Sequence, residues 1–249
     1  MKYSVIILSY NEENTILNCI NSIKSSKDNV EIILADGGSI DSTVFIAKKE
    51  NILIKNCSKG RGIQCNEGAA EASGDILLFL HADTVLPKNA FQILEIFFKD
   101  EKVKIGTFRL KFNNANKFLS LYTKFTKVDS MFTRFGDQCI VVRKKFFNVL
   151  NWFPNWQLFE DVEFLRAARR KTKIHSFPSY VTTSARRFEK KGFIKQQLFN
   201  GWLFLNYLLK IPPEKLALKY FAQENFETSG KVLNKNFIKI KEALSEELL

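Results

Sequence analysis

The chain has 249 residues, 45% of them hydrophobic, and 38 Lys and Arg against 26 Asp and Glu give a formal net charge of +12. That is ample for the core of one large α/β domain, with or without a helical appendage, and the charge points to anionic partners: phosphorylated ligands, an anionic membrane face or nucleic acid. Four separated cysteines, Cys19, Cys57, Cys65 and Cys139, argue against a zinc site and for reduced thiols of a cytosolic protein. No apolar run reaches the roughly 18 residues of a membrane span, and a strand that begins almost at Met1 implies no signal peptide.

In chain order, Lys2 to Leu8 reads as a buried strand ended by Ser9-Tyr10-Asn11. Glu12-Glu13-Asn14 opens a helix whose Ile16, Leu17, Ile20 and Ile23 share a face. Val30 to Ala35 is a second strand, broken by Asp36-Gly37-Gly38-Ser39, and a helix follows from Asp41-Ser42-Thr43. Ile52 to Ile54 is a third strand, and Ser58 to Gly62 leads into a helix with Asn66 and Gly68. Ile76 to Leu80 is apolar without alternation, which suits a strand covered on both faces. It turns polar at once through His81, Asp83 and Thr84, and Pro87 forbids its simple continuation. This β-α alternation predicts a parallel sheet with helices on both faces.

Beyond it, a helix runs over about Ala90 to Phe98, and Ile105 to Phe112 alternates as an edge strand of a mixed sheet would. Phe118 to Phe135 has a helical, aromatic pattern, and Gly136-Asp137-Gln138 precedes a strand from Cys139 to Val142. Trp152 to Trp156 is a loop, Phe159 to Leu165 opens a helix, and Lys173 to Phe177 is a last strand. Ser184-Ala185-Arg186-Arg187-Phe188 is a short basic element. Phe193 to Ile211 is an amphipathic helix stopped by Pro212-Pro213, and a charged helical tail follows. The expected organisation is a catalytic domain over residues 1–190 and a helical extension over 191–249, docked on that domain, on a partner or on the inner membrane face.

The residues with chemistry lie where strands give way to helices. Asp36 and Asp83 fall at the same edge of a parallel sheet, where α/β proteins bind ligands. Asp83 can hold Mg²⁺ or Mn²⁺ through oxygen, or merely cap a helix. Asp36 can serve a nucleotide or only form an Asx-type turn. Lys59-Gly60-Arg61-Gly62 is a glycine-rich loop able to offer N–H groups to phosphate, though it is neither a Walker loop nor a dinucleotide fingerprint. Glu160-Asp161 supplies either a general base or partners for a helix dipole. Arg186-Arg187 offers positive charge for a leaving diphosphate, or a solvated basic face. His81 and His175 show no metal-ligand spacing.

Taken together, these blocks resemble the family 2 inverting glycosyltransferases with the GT-A fold. The match runs through Val5 to Glu12, Ala35 to Thr43, Gly60-Arg61-Gly62 with Asn66 and Gly68, Leu80 to Asp83, Glu160-Asp161 and Arg186-Arg187, spanning about Tyr3 to Phe188. Gly136-Asp137-Gln138 and Ser184 to Arg187 further resemble the bacterial subgroup described as transferase 2, radical-SAM/selenodomain-associated.

The resemblance implies an α/β GT-A domain that moves a sugar from a nucleotide-diphospho-sugar, a UDP-sugar first, to an acceptor hydroxyl. It assigns Asp161, assisted by Glu160, to catalysis, and Ser9, Tyr10, Glu12, Asp36 and Arg61 to the nucleotide. It assigns Asp137, Arg186 and Arg187 to the diphosphate or acceptor side, and Asp83 to a divalent cation. His81 stands where the first acid of the family's metal motif belongs, so metal dependence is a weaker expectation than the fold. The implied setting is cytoplasmic, with peripheral contact at the inner membrane face, an unidentified acceptor and no nucleic acid. A sugar-phosphate nucleotidyltransferase and a non-catalytic basic surface protein are the alternatives. The first lacks a glycine loop after its first strand, and the second lacks aromatics interleaved with its basic residues.

Overall fold

The computed structural model describes residues 1–27, 29–114, 123, 129–131 and 133–222, without the side chains of Arg187, Lys190 and Lys191. Its first compact unit is Met1–Asn200, and a second begins at Gly201. The expected helix over Phe118 to Phe135 falls mostly outside the described residues, as does most of the tail.

The first unit is built on an eight-stranded sheet of order β3-β2-β1-β4-β7-β6-β8-β5. Its strands are β1 (Tyr3–Ser9), β2 (Glu31–Asp36), β3 (Leu53–Asn56), β4 (Ile76–His81), β5 (Thr84–Val85), β6 (Ile105–Phe112), β7 (Ile140–Arg143) and β8 (His175–Thr183). Around them run α1 (Ile16–Lys24), α2 (Thr43–Lys49), α3 (Arg61–Glu71), α4 (Ala90–Phe98), α5 (Lys144–Val149), α6 (Glu160–Arg169) and α7 (Arg186–Lys191), and α8 (Phe193–Leu208) begins in the first unit and continues into the second. The strands β3, β2, β1 and β4 are all parallel, whereas β7 pairs antiparallel to both β4 and β6. The result is a mixed α/β fold with a central, mostly parallel sheet.

The alternation of side chains along β1 explains why its sequence is apolar throughout. Val5 and Ile7 enter a core with Ile16 and Ile20 of α1, Ala47 of α2 and Phe91 of α4. Ile6 and Leu8 enter the opposite core with Cys65 and Ala69 of α3, Phe147 of α5 and Phe164 of α6. Both faces are covered, so a period-two pattern has no reason to exist. Each fully buried Ile or Leu contributes about 1.5–3 kcal/mol of transfer free energy.

Three expectations about the second half are corrected. The strand β6 is internal, flanked by β7 and by parallel β8. Its alternating residues signalled an edge, but Thr107 is buried and hydrogen-bonds to buried polar groups. The last strand does not stop at Phe177 but runs through Pro178 to Thr183. A register shift opposite Thr107 and Arg109 accommodates the proline, which has no N–H to donate to the ladder. Finally, the turn after β4 contains a further two-residue strand, β5, which pairs with the end of β8 and ties Asp83 to the sheet.

The glycine at position 62 is dictated by packing. A Cβ there would lie 2.0 Å from the Pro154 carbonyl oxygen, whereas one on Gly201, in α8, would meet nothing within 4 Å. We expect Gly62→Ala to lower the unfolding free energy by about 1–3 kcal/mol, and Gly201→Ala to raise it by about 0.5–1 kcal/mol. Denaturant titrations of the two variants check the pair.

Candidate active site

The carboxyl edge of the sheet is assembled by register. Leu8 stands opposite Ala35 on one side and His81 on the other, and Ser9 stands opposite Asp36. The loops that follow these strands therefore emerge side by side. They are laced together: Asn11 N–H donates to Ser39 Oγ (2.9 Å), Ile40 N–H to Asn11 Oδ1 (2.9 Å), and Glu12 N–H to Thr43 Oγ1 (2.7 Å). Gln64 of α3 fastens the strand ends from below, donating to the Ser9 and Ala35 carbonyls, each at 2.8 Å.

Asp36 is buried and its carboxylate is occupied. Oδ1 accepts from Ser9 Oγ (2.7 Å) and Ser39 Oγ (2.6 Å), and Oδ2 accepts from the N–H groups of Gly38 (3.1 Å) and Ser39 (2.8 Å). This is the geometry of the Asx-type turn, closed by Gly38 at φ +87°. Beside it the Tyr10 ring is partly exposed, and Lys59 Nζ sits 3.7 Å from its centroid. The Gly62 N–H is not free for a phosphate: it donates to the Trp156 carbonyl at 3.1 Å, so this group of the glycine-rich loop serves packing instead. Asn66 completes that clamp, bonding Phe153 through both its N–H and its carbonyl.

Asp83 follows β4 and lies near three groups. Thr84 Oγ1 and Thr183 Oγ1 donate to Oδ1 at 3.3 and 3.4 Å, and Arg186 Nη2 is 3.6 Å from Oδ2. The same guanidinium is ion-paired with Glu12, so Arg186 spans two acids from different loops. Arg187 falls in α7, with its side chain outside the described residues.

The second acidic group comes from α6 and a 3-10 turn, Gly136–Gln138. Asp161 accepts the Gly136 N–H at Oδ2 (2.5 Å) and the Val162 N–H at Oδ1 (2.8 Å). Asp161 and Glu160 line one cavity together with His81, Cys65, Leu8 and Phe153. Glu160 is 3% exposed, and its Oε2 has no hydrogen-bond partner among the described residues. Burial, reinforced by Asp161 and opposed by Arg61, pushes its pKa up to about 8. Burial also raises Asp137 to about 7; Asp161 and Asp83 add to the shift, and Arg61 opposes it. Asp137 is thus near enough to Asp161, Arg61 and Asp83 to feel their charges.

Several residues that hold this site gave no signal in the sequence. Phe159, just before Glu160, has φ +65°, and Cys139, just after the Asp137 turn, has φ +55°. Left-handed backbone at such residues costs about 1–3 kcal/mol and persists only where packing over-determines it. Arg134 is 1% exposed, donates hydrogen bonds to Thr107 Oγ1 (2.6 Å) and the His175 carbonyl (3.2 Å), and forms an ion pair with Asp129, Nε to Oδ1 3.0 Å. It anchors the segment that leads into the 136–138 turn. His175 itself is half-buried against Phe97, a structural placement.

A parallel sheet whose carboxyl edge carries these loops, extended by antiparallel strands, defines a GT-A fold. The chain belongs to glycosyl transferase family 2, whose family model matches residues 4–175. It is similar to poly(ribitol-phosphate) beta-glucosyltransferase of Bacillus spizizenii, 24% identical over 240 residues that cover 91% of this chain and 35% of that protein. An uncharacterized glycosyltransferase of Nostoc sp. is 34% identical over 106 residues, 39% of this chain and 33% of that one. The chain thus spans about a third of the length of these curated relatives. Among solved structures, S. aureus TarS in complex with UDP-GlcNAc aligns with TM-score 0.58 at 21% identity, over 74% of this chain and 58% of that one. Mannosyltransferase PcManGT from Pyrobaculum calidifontis, in complex with GDP-Man and Mn²⁺, aligns with TM-score 0.55 at 16% identity, over 73% of this chain and 56% of that one.

The raised pKa of Glu160 has a stability consequence. Between the ordinary carboxylate range and about 8, the folded chain keeps a proton that the unfolded chain has lost. The stability contribution is therefore fully present at low pH and is lost as pH rises through that window. We expect thermal unfolding scans from pH 5 to 9 to show a smaller decline in Tm for Glu160→Gln than for the wild type.

Proposed function

We propose that the protein is an inverting glycosyltransferase that moves a sugar from a nucleotide-diphospho-sugar, a UDP-sugar first, to an acceptor hydroxyl. The observation that carries this reading is that Asp161 and Glu160 of α6 line one cavity with His81, the last residue of β4 and two before Asp83. Support for the donor class is that solved structures of the same fold hold UDP-GlcNAc or GDP-Man. We read the Gly136–Gln138 turn and the Ser184 to Arg187 segment as features of the radical-SAM/selenodomain-associated subgroup. Residues 1–190 are the catalytic part in this reading and 191–249 an extension.

The nucleotide lies over the carboxyl ends of β1 and β2. Asp36 shapes its loop through the hydrogen bonds from Ser9 and Ser39, while Tyr10, Glu12 and Arg61 line the approach. Among the described residues no group of three or more His, Cys, Asp or Glu side chains could hold a metal ion. Asp83 alone fits a hard divalent cation that takes its other ligands from water and a diphosphate, as Mg²⁺ and Mn²⁺ do. Such an ion, when bound, supplies charge neutralisation for a leaving diphosphate. His81, two residues earlier, lines the cavity of Asp161 and Glu160 and adds a neutral or cationic donor there.

Asp161 is the general base. Two N–H groups fix its carboxylate and leave lone pairs to accept the proton of an acceptor hydroxyl as that oxygen attacks the anomeric carbon. Attack from the face opposite the leaving group inverts that carbon. Glu160 assists as a buried neighbour, and Arg186 meets the charge that develops on the diphosphate. We further read the protein as cytoplasmic and peripheral to the inner membrane face; the support is its net charge of +12.

Three outcomes test this reading. A thermal-shift panel of UDP-, GDP- and TDP-sugars with and without Mn²⁺ should raise Tm for at least one donor. In transfer assays with a donor and acceptor thus identified, Asp161→Asn should lower kcat by about 10²–10⁴-fold with little change in donor affinity. Wild-type turnover in that variant would remove Asp161 as the base. By calorimetry, Asp83→Ala should abolish Mn²⁺-dependent UDP binding, and unchanged binding would reject its metal role.

A further inference from the structure

The apolar surface of this protein is unevenly distributed. Seven of the fifteen large apolar side chains exposed among the described residues lie between Ile194 and Leu218. Ile194 (66% exposed), Leu198 (71%), Trp202 (40%), Leu205 (56%) and Leu209 (68%) recur at steps of three and four, so they form one stripe along α8 and its last turn. On the other side of the helix Gln196 and Leu203 are buried. One side of α8 is therefore packed, and the outward side is the apolar one. Solvent-facing stripes of this extent mark interaction surfaces.

Charge identifies the partner. From Gly192 to Ala222 the chain carries Lys195, Lys210, Lys215 and Lys219 against a single acid, Glu214. Lys219 Nζ lies 4.9 Å from the centroid of the Trp202 ring, which puts a cation beside the partly exposed indole. An apolar stripe with a Trp and flanking lysines is the composition of a helix that lies in the plane of an anionic bilayer. The 16 residues of α8 are too few to cross one, and no helix among the described residues is long and apolar enough to do so.

We infer that the exposed face of α8, centred on Trp202 and Leu205, binds the surface of a membrane rich in anionic phospholipid. This gives the peripheral-membrane reading a specific surface and rests on that reading, but not on the identity of any sugar.

The test is flotation of the full chain with vesicles of phosphatidylcholine alone or containing about 30 mol% phosphatidylglycerol. We expect binding to the anionic vesicles, weakened by raised salt, and at least about a tenfold loss of partitioning in Leu205→Glu/Leu209→Glu. Both positions are exposed, so the variant should keep the wild-type Tm. Absence of binding to anionic vesicles would overturn the inference. So would equal binding by the variant, or equal binding to phosphatidylcholine alone. Concentration-dependent dimerisation abolished by the same substitutions, without vesicle binding, would assign the face to a second copy of the chain instead. The nucleotide-sugar thermal shift, measured on the same samples, separates the two readings: a retained shift with no flotation rejects only the membrane surface.

Discussion

The structure depends on the register of β1 between β2 and β4. Leu8 is the last apolar residue on β1, and it lies level with Ala35 and His81 on its neighbours. All three strands therefore change from apolar to polar at one height. A slip of one residue would exchange Val5 and Ile7 for Ile6 and Leu8 between two differently shaped cores, which packing does not tolerate. The same register fixes where Ser9, Asp36 and Asp83 emerge. Core packing and site geometry are thus one constraint.

Within a basic protein, the acids of the candidate site are each accommodated differently. Asp36 is satisfied by four donors, three from its own turn and one from Ser9 of β1. Asp83 faces Arg186, and Asp161 sits on two backbone N–H groups. Glu160 and Asp137 each have an oxygen without a donor among the described residues and are pushed toward the protonated form. That division lets several carboxyl groups share a small space without accumulating negative charge. It also rests on left-handed backbone at Phe159 and Cys139 and on the buried guanidinium of Arg134. The geometry of the acids is maintained from behind.

How much of this was legible depended on the kind of physical signal involved. The strands β1 and β4 were readable because burial on both faces demands an unbroken apolar run. The helix α6 was readable from its acidic first turn. The internal place of β6 was not, because Thr107 looks like a solvent-facing residue until Gln138 and Arg134 arrive from far along the chain. The end of β8 was hidden by Pro178, whose cost disappears only where the partner strand shifts register. For Asp36 the alternation between ligand contact and turn could not be resolved from spacing, since both need the same Asp-Gly-Gly-Ser run; the hydrogen-bond count shows that the turn is made.

Taken by itself, the order of residues determined the alternation of strands and helices, the polar breaks after them and the acids set at those breaks. These follow from local rules: apolar runs, turn formers and helix-start chemistry act within a few residues of one another. Only the tertiary structure decided that Asp161 accepts the Gly136 N–H, that Arg186 spans Glu12 and Asp83, and that the apolar stripe of α8 faces outward. Those outcomes depend on which distant segments are brought within a few ångströms, and no local pattern encodes that distance.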